Sequence, residues 1–387
     1  MRIAIFVETY LPYINGVVTH VKSLVDGLKT LGHDVMVVTA DPKVKRQMYM
    51  DGVLHCPAIS FKRFYDFGIA PPLSTKRRSA IEAFSPDVIH IHQEFGIGFS
   101  GVRAAAALNI PFVYTMHTMY DDYIYYIAPG KLVPVIKKPV RKYAKYIANR
   151  AAEITGPSEK VTEYLRSCGV YKPVNVIPNP VEIDLFDISK VSEGNALDIR
   201  QRFGFKNSDT VLTFCGRLGT EKNVHTLLDY WGETLKSHKN IKLFVLGDGP
   251  AKDNLEIQAK ELGIESQVKF SGVVAHDELP PYLAAADAYV TASLSDTNSI
   301  SMLEGMAMKL PVFHIKDPLN KGQVVSGYNG FIYENATELR DGILNFIALF
   351  EEEKSKLREQ TRESVLEKGS VTLAKNLQKV YEEALLK

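Results

Sequence analysis

Residues 2–40 read RIAIFVETYLPYINGVVTHVKSLVDGLKTLGHDVMVVTA. The runs Arg2–Val7 and Asp34–Thr39 are short, apolar and rich in β-branched residues, which is typical of buried strands. Between them, apolar residues recur at helical spacing as far as Gly32; they are Val17, Val21, Leu24, Val25, Leu28 and Leu31. A strand, a helix and a second strand in this order predict a parallel sheet covered by helices.

The same alternation continues along the chain and restarts after the polar stretch 187–207. Further strands are predicted at Val88–His92, Phe112–His117, Glu153–Pro157 and Val174–Ile177, then at Val211–Cys215, Lys242–Leu246, Val268–Ser271, Ala288–Thr291 and Pro311–His314. The pattern predicts an α/β protein with two Rossmann-like parallel-sheet domains that face each other across a cleft, where such sheets bind ligands. Two unrelated Rossmann-like domains with other small-molecule chemistry would show the same alternation. We place the domains at 1–183 and 184–369, followed by a helix in 370–387.

The bulk composition is that of an ordinary globular protein. The 387 residues favour two or three domains, and 45% of them are hydrophobic. Three scattered cysteines, without a CxxC pair, indicate neither a disulfide framework nor a zinc site and fit a reducing cytoplasm. No apolar run approaches the ~20 residues that span a bilayer. Residues 1–185 carry 22 Lys and Arg against 16 Asp and Glu, so that half is positive and indicates an anionic partner.

Three loops carry residues that suit a phosphorylated ligand. The first, Tyr10–Gly16, follows a predicted strand and leads into a helix, whose N-terminus and Gly16 would let a phosphate or sugar hydroxyls approach the backbone. An ordinary βα turn is the alternative, because no GxGxxG fingerprint is present. The second loop, Phe214–Lys222, contains Arg217 and Lys222, which could neutralise a diphosphate, although either one alone could be a solvated charge.

The third loop, 293–307, places two acidic residues around the start of a predicted helix. Asp296 and Glu304 are eight residues apart and could both grip vicinal sugar hydroxyls, while the N–H groups of Ser299, Ile300 and Ser301 would point at a bound phosphate. Helix capping by Asp296 or by a serine is the alternative.

Taken together, these motifs resemble those of the retaining glycosyltransferases of family 4, which have the GT-B fold. The resemblance covers nearly the whole chain; it rests on Gly16, His117, the run GRLGTEK at 216–222, the run LGDGP at 246–250, and the pair Asp296 and Glu304. It implies that the last helix crosses back to an N-terminal acceptor domain and that the central domain binds a nucleotide sugar.

The resemblance also implies a role for each matching residue. Arg217 and Lys222 would hold the donor diphosphate, and Glu304 would bind the nucleotide ribose. Asp296 stands where the family usually has a glutamate that touches the donor sugar. Asn298 stands where a bulkier residue is common.

In the first domain, the resemblance places Gly16 against the phosphates and His117 beside the sugar, near the reacting carbon. The donor is then a UDP-sugar, with no tightly bound cofactor. We find no DxD dyad, and Arg217 and Lys222 could take the place of a divalent ion, so the sequence predicts no metal in the site.

A basic amphipathic segment indicates where the acceptor binds. No acidic residue lies between Tyr123 and Ala152, whereas Lys137, Lys138, Arg141 and Lys142 lie among apolar side chains. Such a segment can lie on anionic lipid, with Tyr120 and Tyr123 at the headgroup level. A core-packed helix with a solvated basic face is the alternative. No recognised motif for nucleic acid accompanies the segment.

The runs 114–123 (YTMHTMYDDY) and 92–96 (HQEFG) resemble the bacterial diacylglycerol glucosyltransferases within family 4. This resemblance implies transfer of glucose from UDP-glucose to diacylglycerol by a peripheral protein at the cytoplasmic membrane face. Alternatives are a family 4 transferase with a polysaccharide or other lipid-linked acceptor, an epimerase of the same fold, and a non-catalytic partner subunit.

Overall fold

The computed structural model describes residues 1–13, 15–61, 67–122 and 133–387. The described chain forms two compact units. The first comprises Met1–Pro180 together with Ser370–Lys387, and the second comprises Val181–Gly369.

An eight-stranded sheet forms the centre of the first unit, in the order β10-β9-β8-β7-β1-β2-β4-β3, and β5 pairs with β6 in a separate hairpin. Neighbours in the large sheet are parallel except β3, which runs antiparallel to β4. The strands are β1 (Arg2–Val7), β2 (Asp34–Asp41), β3 (Met48–Met50), β4 (Val53–Pro57), β5 (Ile59–Phe61), β6 (Phe67–Ile69), β7 (Val88–Ile91), β8 (Phe112–Thr115), β9 (Glu153–Gly156) and β10 (Asn175–Val176).

In the part of the first unit that the structure describes, five α-helices connect these strands. They are α1 (Gly16–Thr30), α2 (Thr75–Phe84), α3 (Gly96–Leu108), α4 (Val133–Arg150) and α5 (Glu159–Ser167). Helix α1 begins at Gly16, directly after the loop that the sequence indicates. The Asn15 side chain caps this end by accepting a hydrogen bond from the Val18 N–H at 3.0 Å.

The second unit has a six-stranded sheet in the order β13-β12-β11-β14-β15-β16, parallel throughout. Its strands are β11 (Thr210–Cys215), β12 (Ile241–Leu246), β13 (Val268–Phe270), β14 (Ala288–Thr291), β15 (Val312–Ile315) and β16 (Gly330–Tyr333). Its helices are α6 (Glu193–Arg202), α7 (Val224–Tyr230), α8 (Lys252–Glu261), α9 (Leu279–Ala284), α10 (Ile300–Ala307), α11 (Ala336–Ala348) and α12 (Glu351–Leu366).

The last helix, α13 (Ser370–Leu385), belongs to the first unit. It packs on α1, and its buried face is formed by Leu373, Ala374, Leu377, Val380, Tyr381 and Ala384. The two helices approach so closely that a Cβ on Gly27 of α1 would lie 2.2 Å from the Ser370 carbonyl oxygen. Residues from both ends of the chain therefore share one core.

The two α/β sheets predicted from the sequence are confirmed. The structure places the short exposed strand β3 antiparallel at one edge of the first sheet, a detail that the sequence did not indicate. It also adds strands that the sequence did not indicate, namely β3 to β6 and β16. Among the described residues, no helix is both long and apolar enough to span a membrane.

Candidate active site

Two glycine-containing loops meet at the carboxyl ends of β11 and β12 in the second unit. The Gly216 N–H donates to the Leu246 carbonyl oxygen at 2.9 Å, and the Leu218 N–H donates to the Asp248 carbonyl oxygen at 2.9 Å. Gly247 has a φ of +134°, and a Cβ built there would lie 2.1 Å from the Gly216 carbonyl oxygen. Only glycine fits this contact. It ties the run 216–222 to the run 246–250.

The two basic residues of the first loop each form an ion pair. Arg217 Nη2 lies 2.7 Å from Glu221 Oε1, and Lys222 Nζ lies 2.5 Å from Asp296 Oδ1. The Lys222 and Asp296 side chains are only 15% and 21% exposed, so their mutual attraction is weakly screened by solvent. The structure therefore joins Lys222 and Asp296, whereas Arg217 pairs with a residue that the sequence did not single out.

The loop after β14 delivers a helix N-terminus to the same region. Ser299 caps α10, its Oγ accepting from the Met302 N–H at 3.4 Å. Ser301 Oγ lies 3.1 Å from the Tyr289 hydroxyl, which donates to the Cys215 carbonyl oxygen at the end of β11 at 2.9 Å. The capping alternative is thus correct for Ser299. The N–H groups of Ile300 and Ser301 belong to the first turn of α10, where helix geometry gives N–H groups no partner within the helix.

Glu304 is buried one turn into α10. Its Oε1 lies 2.8 Å from Nε2 of His276, which belongs to a 3₁₀ turn at His276–Glu278. Burial raises the pKa of Glu304, and the hydrogen bond and charge of His276 oppose that rise. Asn298 is also buried in this loop. Glu304 and Asp296 therefore contact different partners, His276 and Lys222.

In the first unit, His117 lies in a group of four histidine rings, with His20, His90 and His92. His92 Nδ1 is 2.9 Å from His117 Nε2, in the segments that follow β7 and β8. Burial lowers the pKa of His20 to about 4 and lowers the pKa values of the other three well below their usual range. The four imidazoles are consequently neutral at pH 7.

Two buried carboxyl groups lie near these histidines in the sequence. Glu8 accepts hydrogen bonds from the Ile97 and Gly98 N–H groups at the start of α3, at 2.5 and 3.2 Å. Glu94 accepts a hydrogen bond from the Tyr114 hydroxyl. Burial raises the pKa of Glu8 to about 7 and that of Glu94 to about 8. Glu94 is therefore largely protonated in the folded chain at neutral pH.

Glu94→Gln is expected to flatten the pH dependence of stability. The folded pKa of Glu94 is about 8, against 4.5 for an unperturbed glutamate, so the stability that protonated Glu94 contributes is complete below about pH 4.5. It is lost as the pH rises to about 8, by several kcal/mol at about 1.4 kcal/mol per pKa unit. Urea unfolding at pH 5 and pH 8 measures the change in stability of both chains. The difference between the parent and the glutamine variant gives the contribution of Glu94, because Glu8 and the histidines are present in both.

Glu82→Gln is the matched control, because Glu82 is exposed on α2. Its stability should depend on pH as the parent's does. Equal pH dependence in the parent and in Glu94→Gln would show that Glu94 ionises normally in the folded chain.

Helix α4 carries the basic segment. Asp121 Oδ2 lies 2.9 Å from Lys137 Nζ and also pairs with the Arg141 guanidinium, which lowers the pKa of that carboxyl group. Lys138 and Lys142 are exposed on the same helix. A cavity of about 340 Å³ is lined by Lys137, Lys138, Arg141, Lys142, Ser167 and Cys168. Four basic side chains around one cavity suit an anionic group.

The aromatic residues before α4 are only partly described. Tyr120 is half-buried, with its ring edge-on to Phe95 at 5.7 Å between centroids. Tyr123 lies outside the described residues. The inward face of α4 is formed by Ala144, Ile147 and Ala148, which are buried, so the core-packing alternative holds for that face.

Comparison with known proteins gives the family. A family model described as Glycosyltransferase Family 4 matches residues 14–185, and one described as Glycosyl transferases group 1 matches residues 195–364. The chain is 31% identical over 346 residues to alpha-monoglucosyldiacylglycerol synthase of Streptococcus pneumoniae, covering 89% of this chain and 78% of that protein. The chain belongs to glycosyltransferase family 4. The prediction that it is a hexosyltransferase of this family is confirmed.

A second relative and a solved structure are also similar to the chain. The enzyme of the same name from Acholeplasma laidlawii is 29% identical over 344 residues, covering 88% of this chain and 86% of that protein. The crystal structure of Anabaena HepE with UDP-glucose matches with a TM-score of 0.74 at 20% identity, covering 99% of each chain. At that identity the match shows the fold, and the predicted GT-B class of the two sheets is confirmed.

Some residues that contact the predicted ones were not singled out from the sequence. Glu221 lies within the run 216–222, four residues after Arg217, and this helical ion-pair spacing could have drawn attention to it. No sequence pattern links His276 to Glu304. His20, His92 and His117 come from three separate elements; they form the cluster, among the described residues, that could hold a metal ion. The helical spacing that places His20 one turn after Gly16 is the only sequence signal that could have drawn attention to it.

Proposed function

We propose that this chain transfers a hexose, glucose, from UDP-glucose to diacylglycerol at the cytoplasmic face of a membrane and retains the anomeric configuration. The observation that carries this proposal is the identity of 31% and 29% to two proteins named alpha-monoglucosyldiacylglycerol synthase, each matched along at least 88% of this chain. The product would be monoglucosyldiacylglycerol.

The donor half of the proposal rests on the second unit. The matching Anabaena structures contain UDP and UDP-glucose. Arg217 and Lys222 supply positive charge beside the first turn of α10, where N–H groups bind phosphate well. Glu304 would hold the ribose hydroxyls, with His276 keeping its carboxyl group in place.

Departure of UDP is the step that this charge would assist. As the bond between the sugar and the diphosphate lengthens, negative charge develops on the leaving oxygen, and Lys222 and Arg217 stabilise it without a divalent ion. Each cation is paired with a carboxylate, so the incoming diphosphate replaces Asp296 and Glu221 as partner. Asp296, released from Lys222, could then accept hydrogen bonds from the sugar hydroxyls. Ser299, Ile300 and Asn298 would complete the donor loop.

In the first unit, Gly16 and His117 have the proposed donor-side roles. Gly16 is the first residue of α1, so a phosphate can approach the backbone there without meeting a side chain. The neutral His117 imidazole can accept from or donate to a sugar hydroxyl. The departing phosphate would take the proton of the acceptor hydroxyl on the same face of the sugar.

The acceptor half of the proposal rests on α4. The cavity lined by Lys137, Lys138, Arg141 and Lys142 suits the phosphate of an anionic lipid, and these side chains would hold the chain on the membrane surface. Asp121 already neutralises much of the charge of Lys137 and Arg141. Lys138 and Lys142 should therefore contribute most to attraction by an anionic surface. Tyr120, just before this helix, would lie at the headgroup level.

Replacing both Lys138 and Lys142 by alanine is expected to weaken binding to vesicles containing phosphatidylglycerol by about 30-fold. Each lysine near an anionic surface contributes about 1 kcal/mol, and 1.4 kcal/mol corresponds to a tenfold change. Vesicle co-sedimentation at low salt measures the effect, and added salt should reduce the difference.

Lys375 and Lys379 provide the matched control, since they too are exposed, four residues apart, and on a helix of the first unit. Their double alanine variant should bind vesicles as the parent does. Equal losses in the two double variants would mean that only net charge matters, and salt-insensitive binding would argue against electrostatic attraction.

The decisive experiment is mass spectrometry of the products. The full chain is incubated with UDP-glucose, UDP-galactose or GDP-mannose and with diacylglycerol in mixed micelles or soluble sugars. Monoglucosyldiacylglycerol from UDP-glucose is the expected product. If product forms only with a polysaccharide or another lipid acceptor, diacylglycerol is not the acceptor. Conversion of the UDP-sugar without an acceptor would indicate an epimerase. An inactive parent that Asp296→Glu activates would favour a non-catalytic partner subunit.

A further inference from the structure

We propose that His20, His92 and His117 form a binding site for a late first-row divalent cation of the Zn²⁺ class, and that its occupation inhibits the enzyme. One ring nitrogen from each histidine lies within 4.8 Å of the other two. The three residues come from α1, from the segment after β7 and from the segment after β8, all within the first unit. The metal site itself does not depend on the proposed donor or acceptor.

The hydrogen bonds of His20 leave a metal-binding nitrogen without a partner. His20 Nδ1 lies 2.9 Å from Asn179 Oδ1, an acceptor, so Nδ1 carries the ring proton and Nε2 presents a lone pair. His20 is 2% exposed, and its Nε2 has no hydrogen-bond partner in the described structure. A buried lone pair without a donor is costly, and a cation would satisfy it. Asn179 would act as the outer partner that orients a metal-bound imidazole.

His92 and His117 offer the remaining nitrogens. His92 Nδ1 and His117 Nε2 are 2.9 Å apart, so at most one proton lies between them, and a cation could replace it. His92 is 1% exposed, and its Nε2 also has no partner in the described structure. Burial lowers the pKa values of all three histidines, which keeps them in the neutral form that binds metal ions.

His90, the fourth histidine of the group, is not a ligand in this proposal. Its Nδ1 lies 2.7 Å from the Tyr381 hydroxyl and its Nε2 lies 2.6 Å from Thr115 Oγ1, so both nitrogens are already satisfied. Its ring packs on that of His92, with 4.0 Å between centroids, and limits how His92 can move.

The ligand chemistry selects the cation. Three imidazoles suit Zn²⁺, Co²⁺, Ni²⁺ or Cu²⁺, whereas Mg²⁺ and Ca²⁺ prefer oxygen ligands. Tetrahedral bonds of about 2.0–2.1 Å place ligand nitrogens about 3.3 Å apart and leave a fourth position open. Small ring rotations must therefore bring His20 Nε2 closer to the other two nitrogens and move His92 Nδ1 and His117 Nε2 slightly apart. A cation there would hold His117 away from its proposed contact with the donor sugar, so it would inhibit transfer.

Cobalt binding to the full chain, prepared without a histidine tag and stripped with a chelator, tests the site. We expect one Co²⁺ per chain with the intense visible absorption of a tetrahedral site, displaced by Zn²⁺ and unaffected by millimolar Mg²⁺. His20→Gln should weaken binding by more than about 100-fold, since even outer partners are worth 10–100-fold. Asn179→Ala should weaken it by at least about tenfold. His225→Ala, on the exposed surface of α7, should bind as the parent does.

The parent spectrum decides the outcome even where a variant fails to fold. Absence of the tetrahedral band, or cobalt binding that is unchanged in Asn179→Ala and His20→Gln, would overturn the proposal. Zn²⁺ should also inhibit transfer at the concentrations at which it displaces Co²⁺. A chain that binds cobalt as expected but makes no glycolipid would keep the metal site and lose the proposed function.

Discussion

Lys222→Ala is expected to lower kcat/KM for glycosyl transfer by about 10²–10³-fold, the usual cost of removing one group that stabilises developing negative charge. The effect should fall mainly on kcat, because the charge on the departing diphosphate is greatest in the transition state. The substitution also leaves Asp296 without its lysine, and that carboxylate would repel the diphosphate. Steady-state kinetics with UDP-glucose measures the loss.

Folding should survive this substitution. Lys222 lies outside the hydrophobic cores, but its side chain is only 15% exposed and its loss leaves the Asp296 carboxylate without a counter-charge. We therefore expect the free energy of unfolding to fall by no more than about 3 kcal/mol, the lower end of the cost of breaking a buried ion pair. Lys354→Ala is the matched control, because Lys354 forms an ion pair of 3.0 Å with Glu351 on α12. It should keep parental activity. If Lys222→Ala retains more than about a tenth of the parental kcat/KM, Lys222 does not stabilise the leaving group.

Gly247→Ala is expected to remove activity and to destabilise the second unit by about 2–5 kcal/mol. The new Cβ would lie 2.1 Å from the Gly216 carbonyl oxygen, and the φ of +134° is itself strained for alanine. To relieve the contact, the loop that carries Arg217 and Lys222 must move, and displacements of about 1 Å in a catalytic site can cost about 10²-fold in rate. Chemical denaturation and steady-state kinetics measure the two effects.

Gly204→Ala separates backbone strain from the close contact. Gly204 also has a positive φ, +74°, but a Cβ there would meet no atom within 4 Å. We expect a loss of only about 1–2 kcal/mol from strain and no change in activity. Similar losses of stability and activity in the two variants would mean that the contact between the two loops is unimportant.

The sequence predicts the buried parallel strands well and the edge strands poorly. Strands such as β1 and β12 are apolar apart from one basic residue near the start of each, and they lie between helices, a pattern typical of buried parallel strands. Strand β3, Met48–Met50, is exposed along its whole length and pairs on one side only, so neither burial nor alternation marks it. The antiparallel edge of the first sheet could be found only from the structure.

The candidate site was likewise predictable only in part. The loop residues Arg217, Lys222 and Asp296 stand in runs that resemble a family, so they could be singled out, although their roles remain predictions. The pairing of Lys222 with Asp296 could not be predicted, because it depends on which strand ends are neighbours in the sheet. The histidine cluster needs three elements to converge, and no local pattern encodes that convergence.

The position of α13 has a consequence for the order of synthesis. The helix completes the core of the first unit, yet a ribosome makes it only after residues 181–369. At about 5–20 residues per second, the first unit waits roughly 10–40 s for its last piece. During that interval the apolar residues of α1 that share a core with α13 stay uncovered on that side. The nascent chain thus exposes an apolar surface that a chaperone can shield. The second unit can finish folding before the first unit does.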